Sequence, residues 1–243
     1  MRPRIYSYQG ASWSLPPNTI EAFEEALVQG AEGLVVDVSL TRDGIPIAGN
    51  DRLVRALALG PRRVDQLDWS TLQQADLAQV FGGPRPLHIP RLADVLTTFA
   101  RRTSVVLRVF KRPTAVHVVD ALARLAVPLD GIALMSGSLR TLERIELPVR
   151  RYLAAPSTRL RSTEHIDGLA WPSLALPSLA LPLRSARRLR ILGLDCDSSA
   201  SASTALDFGC DIVLTERPAW LRQRFTTLAR RAFELREHHS RSA

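Results

Sequence analysis

The sequence predicts an α/β chain folded as one closed (β/α)8 TIM barrel, a single domain. Three observations point there. Strand-like and helix-like segments alternate along nearly the whole chain. The strand-like runs, such as GLVVDVSL at 33–40, are too apolar to have a solvated face, as in a parallel sheet covered by helices. The length of 243 residues suits one barrel, and about eight parallel strands of this kind close naturally on themselves.

In chain order, Arg4–Tyr8 reads as the first strand, followed by a Gly-Ala-Ser turn. Asn18-Thr19 caps a helix from about Ile20 to Gln29, whose early glutamates suit the positive end of the helix dipole. Gly33–Leu40 is the next strand, Arg42-Asp43-Gly44 a turn and Ile45–Ala48 a further strand. Leu67–Phe81 reads as a surface helix and Leu92–Arg101 as another. Ser104–Phe110 is a buried strand. Thr114–Leu125 (helix), Gly131–Met135 (strand), Ser138–Ile145 (helix) and Arg150–Ala154 (strand) continue the alternation. WPSLALPSLALP at 171–182 holds PSLAL twice, and its prolines make it a strand end and loop. Leu189–Leu194 and Ile212–Thr215 are the last strands, with a Ser/Ala-rich helix between them. From Pro218 a helix runs into a basic tail, Arg236–Ala243, so the barrel is assigned to 1–227 and the tail to 228–243.

Two charges interrupt otherwise apolar strands: Asp37 and Arg108. An unpaired carboxylate in such surroundings costs several kcal/mol, so Asp37 calls for a cation or for solvent at a strand end. The formal charge of +8 is carried almost entirely by arginine, Lys111 being the sole lysine. Two readings of that charge stay open: a field that draws anionic partners, or a composition in which Ala, Leu and Arg run high together. Nucleic-acid readout is excluded, because the arginines are scattered and not interleaved with aromatics. Cys196 and Cys210 have no metal-like spacing and read as buried free thiols. No apolar run reaches the ~20 residues of a membrane helix and no signal-peptide core opens the chain, so a soluble, cytoplasmic protein is expected.

Four segments, in order, resemble the glycerophosphodiester phosphodiesterase family. QGASWSLPPNTIEAF at 9–23 is similar to H-R-G-A-S…P-E-N-T…A-F, and AEGLVVDVSLTRDGIP at 31–46 to A-D-G-I-E-x-D-V-x-x-T-x-D-G-x-P. IPRLADVL at 89–96 resembles I-P-T-L-E-E-V-L, and GCDIVLTERP at 209–218 resembles G-V-D-G-I-I-T-D-R-P. The resemblance spans roughly 4–222. It implies a barrel of the PLC-like phosphodiesterase type and hydrolysis of glycerol-linked phosphodiesters. In that chemistry carboxylates hold a divalent cation, two histidines move protons and an arginine holds the phosphate.

Carried over residue by residue, the resemblance implies a site mostly emptied of that chemistry. The family's His-Arg is Tyr8-Gln9, a phenol of reference pKa ~10 and a neutral amide. The P-E-N-T glutamate is Pro17. Of the metal carboxylates one is Val35, the other is kept as Asp37 and is the only retained ligand. The family's His-Asp is Asn50-Asp51, its E-x-K is Arg108 and Phe110, and its W-T-V-N is Leu194-Asp195-Cys196-Asp197. The proton-transfer positions are thus Tyr8 and Asn50, neither intact, and a ligand would meet Tyr8, Gln9, Asn50, Asp51 and Arg108.

Two functions are expected from this. One is a catalytically degenerate barrel, a pseudoenzyme without cofactor, whose pocket takes a small anionic or phosphorylated molecule; in it the Arg108 guanidinium occupies the cation's place beside Asp37. The other is an active phosphoric diester hydrolase of glycerophospholipid metabolism, with Asp37, Asp51, Asp195 and Asp197 rebuilt into a Mg or Ca site. A structural partner of an active paralogue is a third, with no specific feature behind it. His88, His117, His165, His238 and His239 read as surface residues, His165 alone being placed to reach the pocket.

Overall fold

The structure is a computed structural model that describes residues 2–57, 62–83, 85–154, 165–178 and 190–241. β1 (Arg4–Tyr8) leads to α1 (Ile20–Val28), which Thr19 caps by accepting the Ala22 N–H at 3.1 Å. β2 (Gly33–Leu40) follows, then the short β3 (Pro46–Ala48). Three short helices come next: α2 (Asp51–Ala56), α3 (Trp69–Leu72) and α4 (Ala78–Phe81). The regular alternation then resumes with α5 (Leu92–Phe99), β4 (Ser104–Val109), α6 (Arg112–Leu125), β5 (Ile132–Ser136), α7 (Leu139–Glu143) and β6 (Arg150–Ala154). β7 (Gly168–Pro172), β8 (Arg190–Leu194), α8 (Ser199–Phe208), β9 (Ile212–Thr215) and α9 (Pro218–Arg241) complete it.

Eight strands pair in parallel in the order β1-β9-β8-β7-β6-β5-β4-β2, and β2 pairs back onto β1, which closes the barrel. β3 corrects the expectation for Ile45–Ala48. It is no barrel stave but an antiparallel flap on the far end of β2, with Val38 opposite Ala48 and Leu40 opposite Pro46. A hairpin is all that the short Thr41–Ile45 turn can make, since parallel return needs a crossover of a dozen or more residues.

The single helix expected over Leu67–Phe81 is also corrected: α3 and α4 flank a bend. Leu72 and Leu77 are both fully buried against Ile47, Val64 and Ile89. On one straight helix residues five apart would lie roughly 140° apart, so both could not face one core. The bend lets them converge. Asp76 fixes it by accepting the N–H groups of Ala78 at 2.9 Å and Leu87 at 3.0 Å. At 171–182 the loop reading is refined: β7 ends at Pro172 and a 3-10 turn covers Ser173–Ser178. The rest of the second PSLAL copy lies outside the described residues. α9 runs without a break through residue 228, where the tail was placed.

Strand alternation sorts the core into two layers. On β2, Leu34, Val36 and Val38 face the helices and pack with Phe23 and Phe99, whose rings meet edge to face at 5.8 Å. Val35 faces inward with Tyr6, Val106, Met135, Tyr152, Leu192 and Leu214, filling the barrel with side chains rather than leaving a pore. No helix among the described residues is long and apolar enough to cross a membrane.

Cys196 and Cys210 are free and buried, as expected. Burial pushes both thiols up to about 12. At about pH 8 only some 10⁻⁴ of each is then thiolate, the reactive form. An aromatic disulfide reagent should leave both thiols untouched in the native protein and titrate two after denaturation. Reaction of either at the rate of a free thiol would contradict the packing.

Candidate functional site

Alternation and register together build the site. Asp37 sits on the inward face of β2, two residues beyond Val35, and Arg108 on the inward face of β4, two beyond Val106. The parallel β2–β4 ladder sets the two opposite one another. Both are near the C-terminal ends of their strands, at the barrel mouth, where Tyr8 ends β1. The Asp37 carboxylate is fully buried, and Arg108 Nε lies 2.9 Å from its Oδ1. The N–H is not aimed along that contact, so the pair is a close ionic contact and not an aligned hydrogen bond.

The other carboxylate oxygen, Oδ2, accepts Gln9 Nε2 at 2.6 Å and Asn50 Nδ2 at 2.5 Å. Gln9 reaches it from a left-handed backbone, φ 61°, followed by Gly10 at φ 85°. That turn is tight: a Cβ on Gly10 would lie 2.6 Å from the Ala22 backbone of α1. Asn50 is the N-cap of α2, its Oδ1 accepting the Arg52 N–H at 2.9 Å and the Leu53 N–H at 3.1 Å, so its amide is held from both ends. Arg108 is stacked between two rings, with its guanidinium carbon 4.8 Å from the Tyr8 centroid and 4.5 Å from that of Phe110.

Burial pushes the Asp37 carboxyl above the usual carboxylate range, while Arg108, the Asn50 and Gln9 amides and the Tyr8 hydroxyl pull it back. The Tyr8 phenol is raised far above its ordinary value, by burial first and the Asp37 charge second, so it stays protonated and can donate but not act as a base. Across the mouth, burial raises Asp197 and Glu216, and each is also raised by neighbouring negative charge. A cavity of about 520 Å³ opens here, its wall including Tyr8, Gln9, Asn50, Arg52, Arg108 and Phe110.

Every residue expected at the site lies here: Tyr8, Gln9, Asn50, Asp51 and Arg108 line the cavity, and Asp37 lies beneath them. Asp51 plays a structural part, its Oδ1 accepting the Val64 N–H at 2.9 Å. His165 is exposed and does not line the cavity. Asn18 was expected only as a helix cap. Instead, at φ 62°, it turns its Oδ1 onto the Asp37 N–H at 3.0 Å and so fixes the carboxylate's backbone. The retained P-P-N-T segment was its signal. Glu216 and the Lys111–Asp65 pair (2.6 Å) were not anticipated.

The donor set does not fit a divalent cation. Asp37 has one oxygen taken by two amides and the other by a permanent cation, and Val35 offers no oxygen at all. Nor do the other aspartates assemble a replacement. Asp197 Oδ1 is turned to Thr215 Oγ1 at 2.5 Å and to the Glu216 N–H at 2.9 Å. Among the described residues no three His, Cys, Asp or Glu side chains are placed to hold a metal.

Residues 9–119 match the family described as glycerophosphoryl diester phosphodiesterase. A glycerophosphodiester phosphodiesterase of Bacillus altitudinis is 30% identical over 108 residues, 44% of this chain and 44% of that protein. A probable glycerophosphodiester phosphodiesterase 2 of Mycobacterium tuberculosis is 35% identical over 86 residues, 35% of this chain and 30% of its own. The chain thus spans less than half the length of these relatives. Among solved structures, a glycerophosphodiester phosphodiesterase from Agrobacterium tumefaciens covers 90% of this chain and 99% of its own, with a TM-score of 0.71 and 20% identity. An Oleispira antarctica phosphodiesterase in complex with sn-glycerol-3-phosphate covers 92% and 97%, with a TM-score of 0.77 and 19% identity. Over residues 9–119 the chain is similar to the glycerophosphodiester phosphodiesterase family, and its whole barrel has the fold of these phosphodiesterases. The sequence match begins just after β1 and ends within α6, taking in β2 and β4, while the fold match runs through the whole barrel.

Arg108→Ala should cost about 3 kcal/mol, the lower part of the range for stranding a buried charge, because Arg108 is itself partly exposed. The loss should depend on pH. Without the guanidinium the Asp37 carboxyl rises further above its ordinary 3.8. A raised folded value costs nothing below the unfolded one, and the penalty grows as pH climbs through the folded value. The deficit should therefore be smallest near about pH 4, close to the unfolded value, and larger at neutral pH, and adding Asp37→Asn should recover much of it. A deficit equal at both pH values would show that the ion pair is not its source.

Proposed function

We propose that this barrel has lost the family's hydrolytic reaction and keeps its mouth as a pocket for a small anionic, phosphorylated ligand. One observation carries the reading: the Arg108 guanidinium, 2.9 Å from Asp37, stands where the resemblance places a metal ligand, and the remaining carboxylate oxygen is filled by Gln9 and Asn50. A phosphodiester reaction needs a cation on the phosphate and a proton donor for the leaving alkoxide. Tyr8 and Asn50 replace the family's histidines, and neither exchanges a proton near neutral pH: one is a phenol raised by burial, the other an amide. Arg108 meets Asp37 through an ionic contact at Nε, which leaves its Nη donors for a ligand, and Arg52 lines the same cavity, so two cations remain able to hold a phosphate oxygen.

The deciding measurement combines turnover and binding. With glycerophosphocholine and Mg²⁺, Ca²⁺ or Mn²⁺ in turn, no metal-dependent release of glycerol 3-phosphate is expected; loss of even one acid–base group typically forfeits ~10²–10⁴-fold. Glycerol 3-phosphate itself should bind, and Arg52→Gln should weaken it. Metal-dependent turnover at an ordinary enzymatic rate of ~1–10³ s⁻¹ would instead favour a rebuilt metal site and an active hydrolase.

A further inference from the structure

The end of the barrel opposite the mouth carries a second cluster that none of this chemistry uses. β1, β6 and β8 each begin with an arginine: Arg4, Arg150 and Arg190. Two residues further along each strand stand Tyr6, Tyr152 and Leu192, all in the inward-facing layer, so alternation turns the three arginines toward the barrel axis. The contacts agree. The Arg4 guanidinium carbon lies 5.2 Å from the Tyr6 ring centroid. Burial raises the Tyr152 phenol, and Arg190 and Arg150 both pull it back, Arg150 partly through a hydrogen bond. Gly168 between them leaves room for this approach: a Cβ there would lie 3.0 Å from Tyr152 Cδ1 and 3.1 Å from Arg190 Cβ.

The carboxylates at this end face another way. Glu32 accepts the Ile5 N–H at 3.1 Å, Asp167 the Arg151 N–H at 2.8 Å and Asp211 the Ile191 N–H at 2.8 Å. The same device thus occurs three times: an acidic side chain from the loop before the neighbouring strand (β2, β7 or β9) holds the backbone N–H of the residue after each inward arginine. Glu32 also pairs outward with Arg2 at 2.9 Å. Among the described residues none of Arg4, Arg150 and Arg190 has a carboxylate at ion-pair distance. Arg4 Nη2 donates to the Glu32 backbone carbonyl at 3.1 Å, a neutral partner that leaves its charge unmatched. Guanidinium groups facing one barrel end without a counter-charge repel, and their planar forks match phosphate oxygens two at a time.

We propose that this end of the barrel is an anion site in which Arg4, Arg150 and Arg190 hold a phosphate group, free or on a small molecule. It is separate from the mouth and independent of whether the mouth hydrolyses anything. The probe is inorganic phosphate, titrated by calorimetry and by thermal unfolding against chloride at matched ionic strength, which removes general screening. Saturable binding with a raised unfolding midpoint is expected. Arg150→Gln with Arg190→Gln should weaken it about tenfold or more, as lost bidentate contacts to an anion do. Without phosphate that double variant should be no less stable than the parent; should it fail to fold, single Arg190→Gln gives the same comparison at smaller amplitude. The comparison is made in an Arg52→Gln background, where the mouth's own hold on phosphate is weakened, and the response should persist there. The proposal falls if phosphate does no more than chloride, or if the response survives in the arginine variants. It falls equally if Arg52→Gln removes the response, which would place the anion in the mouth, or if only a polyanion such as duplex DNA binds.

Discussion

The mouth of this barrel is organised by one constraint: a carboxylate with no exposure to water must have a cation. Asp37 meets it through strand register, because the β2–β4 ladder places Arg108 directly opposite and alternation turns both side chains inward. The neighbouring groups are arranged around that pair. Gln9 and Asn50 supply the second oxygen's donors, Asn18 holds the backbone N–H, and Tyr8 and Phe110 fix the guanidinium plane between their rings. Each of these depends on a local backbone device, a left-handed turn at Gln9 and Asn18 or a helix cap at Asn50. A tethered guanidinium differs from a bound ion in one respect that matters to chemistry. It cannot leave, and it offers no open coordination position.

The same constraint separates the mouth from the packing that closes the barrel. The layer that packs barrel against helices, from Leu34 and Phe23 to Phe99 and Leu153, and the interior layer from Tyr6 to Leu214 lie below the mouth. Of the residues that line the cavity, only Val38, in the outer layer, and Tyr8, at the edge of the inner one, belong to either. Replacing the mouth residues therefore leaves the hydrophobic driving force for closure untouched, provided that no charge is left unpaired. Arg108 satisfies that proviso.

Much of this was legible in the sequence, and for specific reasons. β1, β6 and β9 have the expected bounds because each is a short β-favouring segment closed by a change of pattern, and Asp37 and Arg108 stood out as lone charges on the apolar runs of β2 and β4. The helix expected over 67–81 failed because Leu72 and Leu77 share a core through a bend that Asp76 stabilises, a tertiary arrangement with no helical period of its own. β3 was legible as a strand but not in its direction, since pairing sense belongs to the loop that returns it. Asn18 was misassigned because an asparagine before Thr19 looks like a cap, and only the fold brings the Asp37 backbone to it. Glu216 and Asp65 were missed because each is an ordinary acidic loop residue until the barrel closes.

The two ends of the barrel solve the problem of inward charge in opposite ways. At the mouth the inward carboxylate is matched by an inward guanidinium on the adjacent strand, so the pair is internally neutral. At the other end the acidic residues are spent on strand N–H groups, which leaves inward arginines on β1, β6 and β8 without such a partner. The strands that lie between them supply no carboxylate at their starts: β9, between β1 and β8, begins with Ile212, and β7, between β8 and β6, begins with Gly168. What lies between Arg190 and Tyr152 is Gly168, which supplies space and no charge. A strand pairing can neutralise one inward arginine at a time; three facing a common axis need a counter-charge that sits on the axis itself, and the chain does not provide it among the described residues.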